Sequence, residues 1–157
     1  KRQRAVYEVV LEAQQAAIAK ARAGGHWNDP HEAAVRAITQ GLVRIGLLKG
    51  RIPKLIKDGA YRKFFMHRTG HWLGMDVHDV GEYKVGTEWR VFEPGMALTV
   101  EPGIYIPAGT KGVPKRWWNI GVRIEDDVLV TATGYDLLTS GLPRTTAEIE
   151  RVMASAA

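Results

Sequence analysis

Apolar side chains recur at two different periods along this chain, and the period changes near residue 64. Before that point the spacing is helical. Val6, Val9, Val10, Ala13 and Ala17 fall on one face, which predicts an amphipathic helix from Arg2 to Ala23, ended by Gly24-Gly25. Asp29-Pro30-His31-Glu32 then reads as a helix start, with Asp29 as N-cap, Pro30 in the first position and Glu32 completing a capping box. Val35, Ile38, Leu42 and Ile45 mark the buried face of this second helix, which fades near Gly46. A further helical turn is predicted between Pro53 and Lys57.

From Phe64 onward, frequent glycines and short β-rich runs replace that period. Ala97 to Val100 reads as a strand broken by Pro102-Gly103. Ile120, Val122 and Ile124 alternate with Gly121, Arg123 and Glu125, the pattern of a half-buried strand. Asp126-Asp127 is predicted to turn it back into Val128 to Thr131, forming a hairpin. Thr145 and Glu148 make a capping box ahead of Ile149, Val152 and Met153, so a helix closes the chain. With no repeat, low-complexity tract or linker, the whole reads as one α+β unit.

Composition narrows the class. A chain of 157 residues suits one domain with a core, and 45% apolar with 25% charged residues is ordinary for a globular protein. No apolar stretch reaches the length a membrane helix needs, so no membrane partner is expected. The net charge of +5 is scattered, and Lys115-Arg116 beside Trp117-Trp118 carries no nucleic-acid fold signature, so no nucleic-acid partner is expected either. Cysteine is absent, so any metal must be held by His and carboxylates. That composition fits a cytoplasmic setting.

Three histidines, His67, His71 and His78, lie within twelve positions, among glycines that argue against a helix. Taken singly, a histidine is usually structural. Glu101 ends an apolar strand and Glu125 follows another, positions where a carboxylate is costly unless it is paired or binds a cation. Arg123 and Glu125 are two apart on a strand and project from one face, which also fits a plain surface ion pair. His31-Glu32-Ala33-Ala34-Val35 starts like a helical two-histidine zinc motif but has Val35 where the second histidine belongs. His31 and Glu32 are therefore read as cap residues, and His26 as a surface residue.

The run His67-Arg68-Thr69-Gly70-His71-Trp72-Leu73-Gly74-Met75-Asp76-Val77-His78-Asp79 resembles the central motif of aminopeptidase P and prolidase, the proline-directed pita-bread metallopeptidases. Thr99-Val100-Glu101-Pro102-Gly103-Ile104-Tyr105 resembles the next block of that family, and Gly121-Val122-Arg123-Ile124-Glu125-Asp126-Asp127 the last. His71-Trp72-Leu73-Gly74 leans towards aminopeptidase P. The resemblance implies an α+β pita-bread fold, with a curved antiparallel sheet and flanking helices. It implies His71, Glu101 and Glu125 as metal ligands, with Glu125 bridging two divalent ions, manganese or else zinc or cobalt. His67 and His78 match substrate-contacting histidines that steady the transition state, Arg123 a supporting arginine, and Tyr105 a substrate-side position. The implied reaction is hydrolysis of the bond before proline, with Glu101 shuttling a proton and peptides carrying proline in second position as partners.

Two aspartate ligands of the family, separated by ten residues, have no counterpart here, nor does a further histidine upstream. Residues 1–157 are therefore expected to be the C-terminal portion of a single, incomplete catalytic domain. Alone, such a piece is expected to be impaired as an enzyme and to self-associate or pair with the missing N-terminal segment. Alternatives are a pita-bread binding module that abandoned catalysis, a dipeptidase of the prolidase kind, and a metal-free hydrolase of the creatinase kind. The intact triad of ligands weighs against the first and last of these.

Overall fold

The structure is a computed structural model, and it describes residues 1–155. Helix α1 spans Arg2–Ile18 and buries Val6, Val9, Val10, Ala13 and Ala17, the stripe set by the helical period. It stops short of the glycines. Lys20 and Ala21 donate to Ala17 and Ile18 in tighter three-residue bonds, and the chain then pairs with residues 90–92, Gly24 N to Phe92 O at 3.0 Å and Trp27 N to Arg90 O at 2.8 Å. Non-local pairing there outcompetes continued helix.

Helix α2, Asp29–Arg44, keeps Pro30 in its first turn but takes Asn28 as N-cap. The predicted capping box is absent. Asn28 Nδ2 donates to Glu32 Oε1 at 2.6 Å, while the Asp29 carboxylate accepts from His26 N at 2.8 Å and braces the preceding turn. Helices α1 and α2 pack closely where Gly41 faces Val9, because a Cβ at Gly41 would lie 2.2 Å from Val9 Cγ1. A short helix α3, Ile52–Lys57, and a 3₁₀ turn at Ala60–Lys63 lead to the buried Phe64 and Phe65.

Seven short strands follow: β1 (Lys84–Val85), β2 (Glu88–Trp89), β3 (Ala97–Val100), β4 (Gly103–Ile106), β5 (Ile120–Arg123), β6 (Asp126–Val130) and β7 (Tyr135–Leu137). β1 and β2 form a hairpin, β4 pairs with β5, and a three-stranded sheet runs β3-β6-β7. The expected hairpin between the strand at 120–124 and its successor does not form. β6 pairs instead with β3, Val100 opposite Asp126, and β5 pairs with β4, Gly103 opposite Arg123. Ile124 and Glu125 are therefore the step between two sheets.

Asp126 explains the departure. Its carboxylate is 1% exposed and accepts from Arg144 Nε and Nη2, each at 2.7 Å, as well as from Gln14 Nε2 and Thr139 Oγ1. A buried carboxylate so fully paired belongs in the sheet, not in a solvated turn. The same arginine tethers the closing helix α4, Thr146–Ser155, whose capping box forms as expected, Glu148 N to Thr145 Oγ1 at 3.2 Å and Thr145 N to Glu148 Oε2 at 2.9 Å. Among the described residues no helix is long and apolar enough to cross a membrane.

Candidate metal centre

Residues 69–73 lie along β3 as an irregular added strand. Glu101 N donates to Thr69 O at 2.7 Å, Thr99 N to His71 O at 3.0 Å and Leu73 N to Ala97 O at 3.1 Å. This antiparallel ladder sets His71 beside the strand end that carries Glu101. Gly70 makes the approach feasible, because a Cβ there would lie 2.0 Å from Thr99 O. β5 delivers Arg123 against β4, and the step between sheets delivers Glu125.

The outcome is convergence of the three expected ligands. One donor atom each from His71, Glu101 and Glu125 lies within 4.8 Å of the others. His71 Nε2 is 3.4 Å from Glu101 Oε1, and Arg123 Nη1 is 3.5 Å from Glu101 Oε2. Arg123 thus pairs with Glu101, not with Glu125 as a surface pair would. The His71 and His78 rings meet edge to face at 4.4 Å, and His67 Nε2 lies 2.9 Å from Tyr105 OH.

The donor set fits a hard or borderline divalent cation. His71 Nδ1 lies 2.8 Å from Trp72 O; a carbonyl only accepts, so Nδ1 carries a proton, and in the neutral ring the Nε2 lone pair faces Glu101. Burial raises the Glu125 carboxyl above its ordinary range, and the like charge of Glu101 raises it further, against the pull of Arg123 and His71. A cation between the two acids would relieve that repulsion. Likewise His67 Nδ1 faces Arg68 O at 2.6 Å, so in the neutral ring Nε2 accepts from the Tyr105 hydroxyl. The Tyr105 phenol is itself pushed up, chiefly by burial, with Arg123 opposing.

Three supporting residues escaped the sequence reading. Thr99 Oγ1 accepts from His71 N at 3.1 Å and donates to Glu101 Oε1 at 3.4 Å, so one hydroxyl spans two of the ligands. Thr69 is 3% exposed, and its Oγ1 lies 2.8 Å from His31 Nδ1. His31 is therefore more than a cap residue: it braces the strand at 69–73 from behind. Threonines flanking His71 and Glu101 were the available signal. His26 is exposed, as expected, and Trp117 is buried while Trp118 Nε1 donates to Val113 O at 3.0 Å.

His31 carries a pH consequence. Burial first, and then Arg68, His67 and Arg62, lower its pKa from 6.5 to about 4. The unfolded chain binds this proton near pH 6.5 and the folded chain does not, so stability is present above that value and is lost as pH falls towards 4. The melting temperature should drop by several degrees between pH 7 and pH 5. Its slope with pH should flatten in His31→Gln; an unchanged slope would show that another group is responsible.

The chain belongs to metallopeptidase family M24, whose sequence profile matches residues 1–132. Within that family it is similar to Xaa-Pro aminopeptidases: it is 48% identical over 151 residues to the one from Haemophilus influenzae, covering 96% of this chain and 35% of that relative. Its backbone matches the aminopeptidase PepP of Pseudomonas aeruginosa with a TM-score of 0.97 and 62% identity, over 99% of this chain and 35% of the other. A zinc-substituted Escherichia coli aminopeptidase P in complex with product matches with a TM-score of 0.94 and 43% identity, over 100% of this chain and 35% of that one. The fold is therefore the pita-bread fold of aminopeptidase P, as the resemblance implied. The chain spans about a third of the length of these relatives.

Proposed function

We propose that this chain forms the C-terminal portion of the catalytic domain of a proline-directed aminopeptidase that hydrolyses the N-terminal Xaa-Pro bond. The observation that carries the reading is the convergence of His71, Glu101 and Glu125 from three separate stretches of chain. The similarity to Xaa-Pro aminopeptidases supports the substrate class. These three residues would hold part of a two-ion centre, with Glu125 placed to bridge, and manganese suits the all-oxygen and nitrogen donors. Two such ions, when bound, would supply a water of lowered pKa and Lewis-acid polarisation of a carbonyl.

The chain's own groups account for the remaining work. Glu101, next to His71 and Arg123, is positioned to take a proton and pass it to the leaving nitrogen. Arg123, 3.5 Å away, orients that carboxylate. His78, edge to face with His71, donates to the developing oxyanion, a contact worth about 3 kcal/mol when preorganised. His67, oriented by Arg68 O and Tyr105, borders the substrate.

Three ligands leave two ions under-coordinated, so further acids from the longer protein complete the site in this reading. The test compares manganese-dependent release of the first residue from an Xaa-Pro peptide by this chain and by the full-length protein that carries it. Turnover by the full-length protein with little from the chain alone is expected. Rapid turnover by the isolated chain would contradict the division of ligands, and none by either would contradict the peptidase reading.

A further inference from the structure

A wide cleft on the α2 side of the molecule plays no part in the chemistry described so far. Its volume is about 820 Å³, between the start of α2, the 3₁₀ turn and Trp89. Lys20, Arg36, Arg62 and Arg68 line it, and among the described residues none of the four forms an ion pair. Two acids also line it: Asp29, which accepts from His26 N at 2.8 Å, and Glu32, which accepts from Asn28 Nδ2 at 2.6 Å and whose charge acts on Arg68, so the cations outnumber them. Arg68 stacks over Trp89, its guanidinium carbon 4.9 Å from the ring centre, and donates only to Asn28 Oδ1, at 2.6 Å. The field here is positive, since Arg68 and Arg62 help depress the His31 pKa.

The cleft leads towards His67, one of the histidines around the centre. A smaller cavity of about 270 Å³ shares Tyr61, Arg62 and Arg68 with it and reaches His67, whose Nε2 meets Tyr105. In the reading above, the first residue of the peptide would be held near His71, Glu101 and Glu125, so only the part of the substrate beyond the cleaved bond would extend away from them.

We infer that the groove from His67 past Arg62 and Arg68 to Trp89 binds the downstream part of the peptide through a carboxylate. This specificity site rests on the peptidase reading above. The carboxylate can be the peptide's C-terminus or an acidic side chain, and both have the planar geometry that a guanidinium fork accepts. Trp89, with Arg68 stacked over its ring, closes the far end of the groove.

The test uses the full-length protein with manganese and four-residue peptides with proline second. Two pairs are compared, C-terminal acid against amide, and aspartate against asparagine in the last position of the amide. KM should be about five-fold lower for each carboxylate-bearing partner, with kcat unchanged. The first pair reads the terminal source and the second the side-chain source. In Arg62→Gln/Arg68→Gln the difference should vanish, and in Arg62→Gln alone, which leaves the Arg68 contact to Asn28 intact, it should shrink. Calorimetry with the same downstream segments, lacking the first residue, gives a readout independent of turnover. Loss of acid preference in the variants supports the groove. Equal KM values and equal affinities within both pairs in the wild type, or an unchanged preference in the double variant, would overturn it. Absence of turnover with preferential binding of the acid would instead count against the peptidase reading alone.

Discussion

Glu101→Gln in the full-length protein carrying this segment should lower Xaa-Pro hydrolysis by about three orders of magnitude. The substitution preserves shape and removes charge. Glu101 is nearly buried, with a side chain 13% exposed, between His71 at 3.4 Å, Arg123 at 3.5 Å and the Thr99 hydroxyl. An amide there has one oxygen to offer a cation and cannot hold a proton in transit. It also leaves Arg123 without its counter-ion. The loss should appear in kcat together with weaker metal affinity, while the fold stays intact, since Gln can still accept from Thr99. Steady-state kinetics at several manganese concentrations check this. A rate within ten-fold of wild type at saturating metal would remove Glu101 from the centre.

Gly70→Ala should cost about 3 kcal/mol of stability and disable the site at the same time. The new Cβ would lie 2.0 Å from Thr99 O and 3.0 Å from Thr99 C, both backbone atoms of β3. Neither can swing aside as a side chain would. Relief requires the strand at 69–73 to peel from β3, breaking the bonds that fix His71 and Glu101 relative to each other. Gly134→Ala is the control, because a Cβ there meets nothing within 4 Å. Thermal melts of both variants decide it, and equal melting temperatures would show that the ladder tolerates a side chain.

Much of the fold was legible because its signals are local. The helical stripe of Val6, Val9, Val10, Ala13 and Ala17, the capping box at Thr145 and Glu148, and the strand at Ala97 to Val100 all formed as expected. The meeting of His71, Glu101 and Glu125 was legible for another reason. Two glutamates at the ends of apolar strands are anomalous, and the resemblance assigned them a purpose. What failed depends on partners distant in sequence. Asp126-Asp127 looks like a turn until Gln14 and Arg144 are seen around the first carboxylate, 112 and 18 positions away. His31 looked like a cap residue because its neighbours are cap residues, and its actual partner, Thr69, is 38 positions on. The strand at 69–73 has no alternating pattern because Gly70 serves close approach to β3 and not the burial of a side chain.

The tether between Arg144 and Asp126 has a bearing on how the protein ages. Asp126 immediately follows the bridging candidate Glu125, and among the described residues its one ion-pair partner is Arg144, from the C-terminal segment. A protease nick in the exposed stretch at 140–143 would let that guanidinium drift away with α4. An unneutralised acid would then be stranded in the interior, one residue from the ion site. Loosening would begin at the step between the sheets, so capacity to retain metal would fade while the helical signal of α1 and α2 persisted.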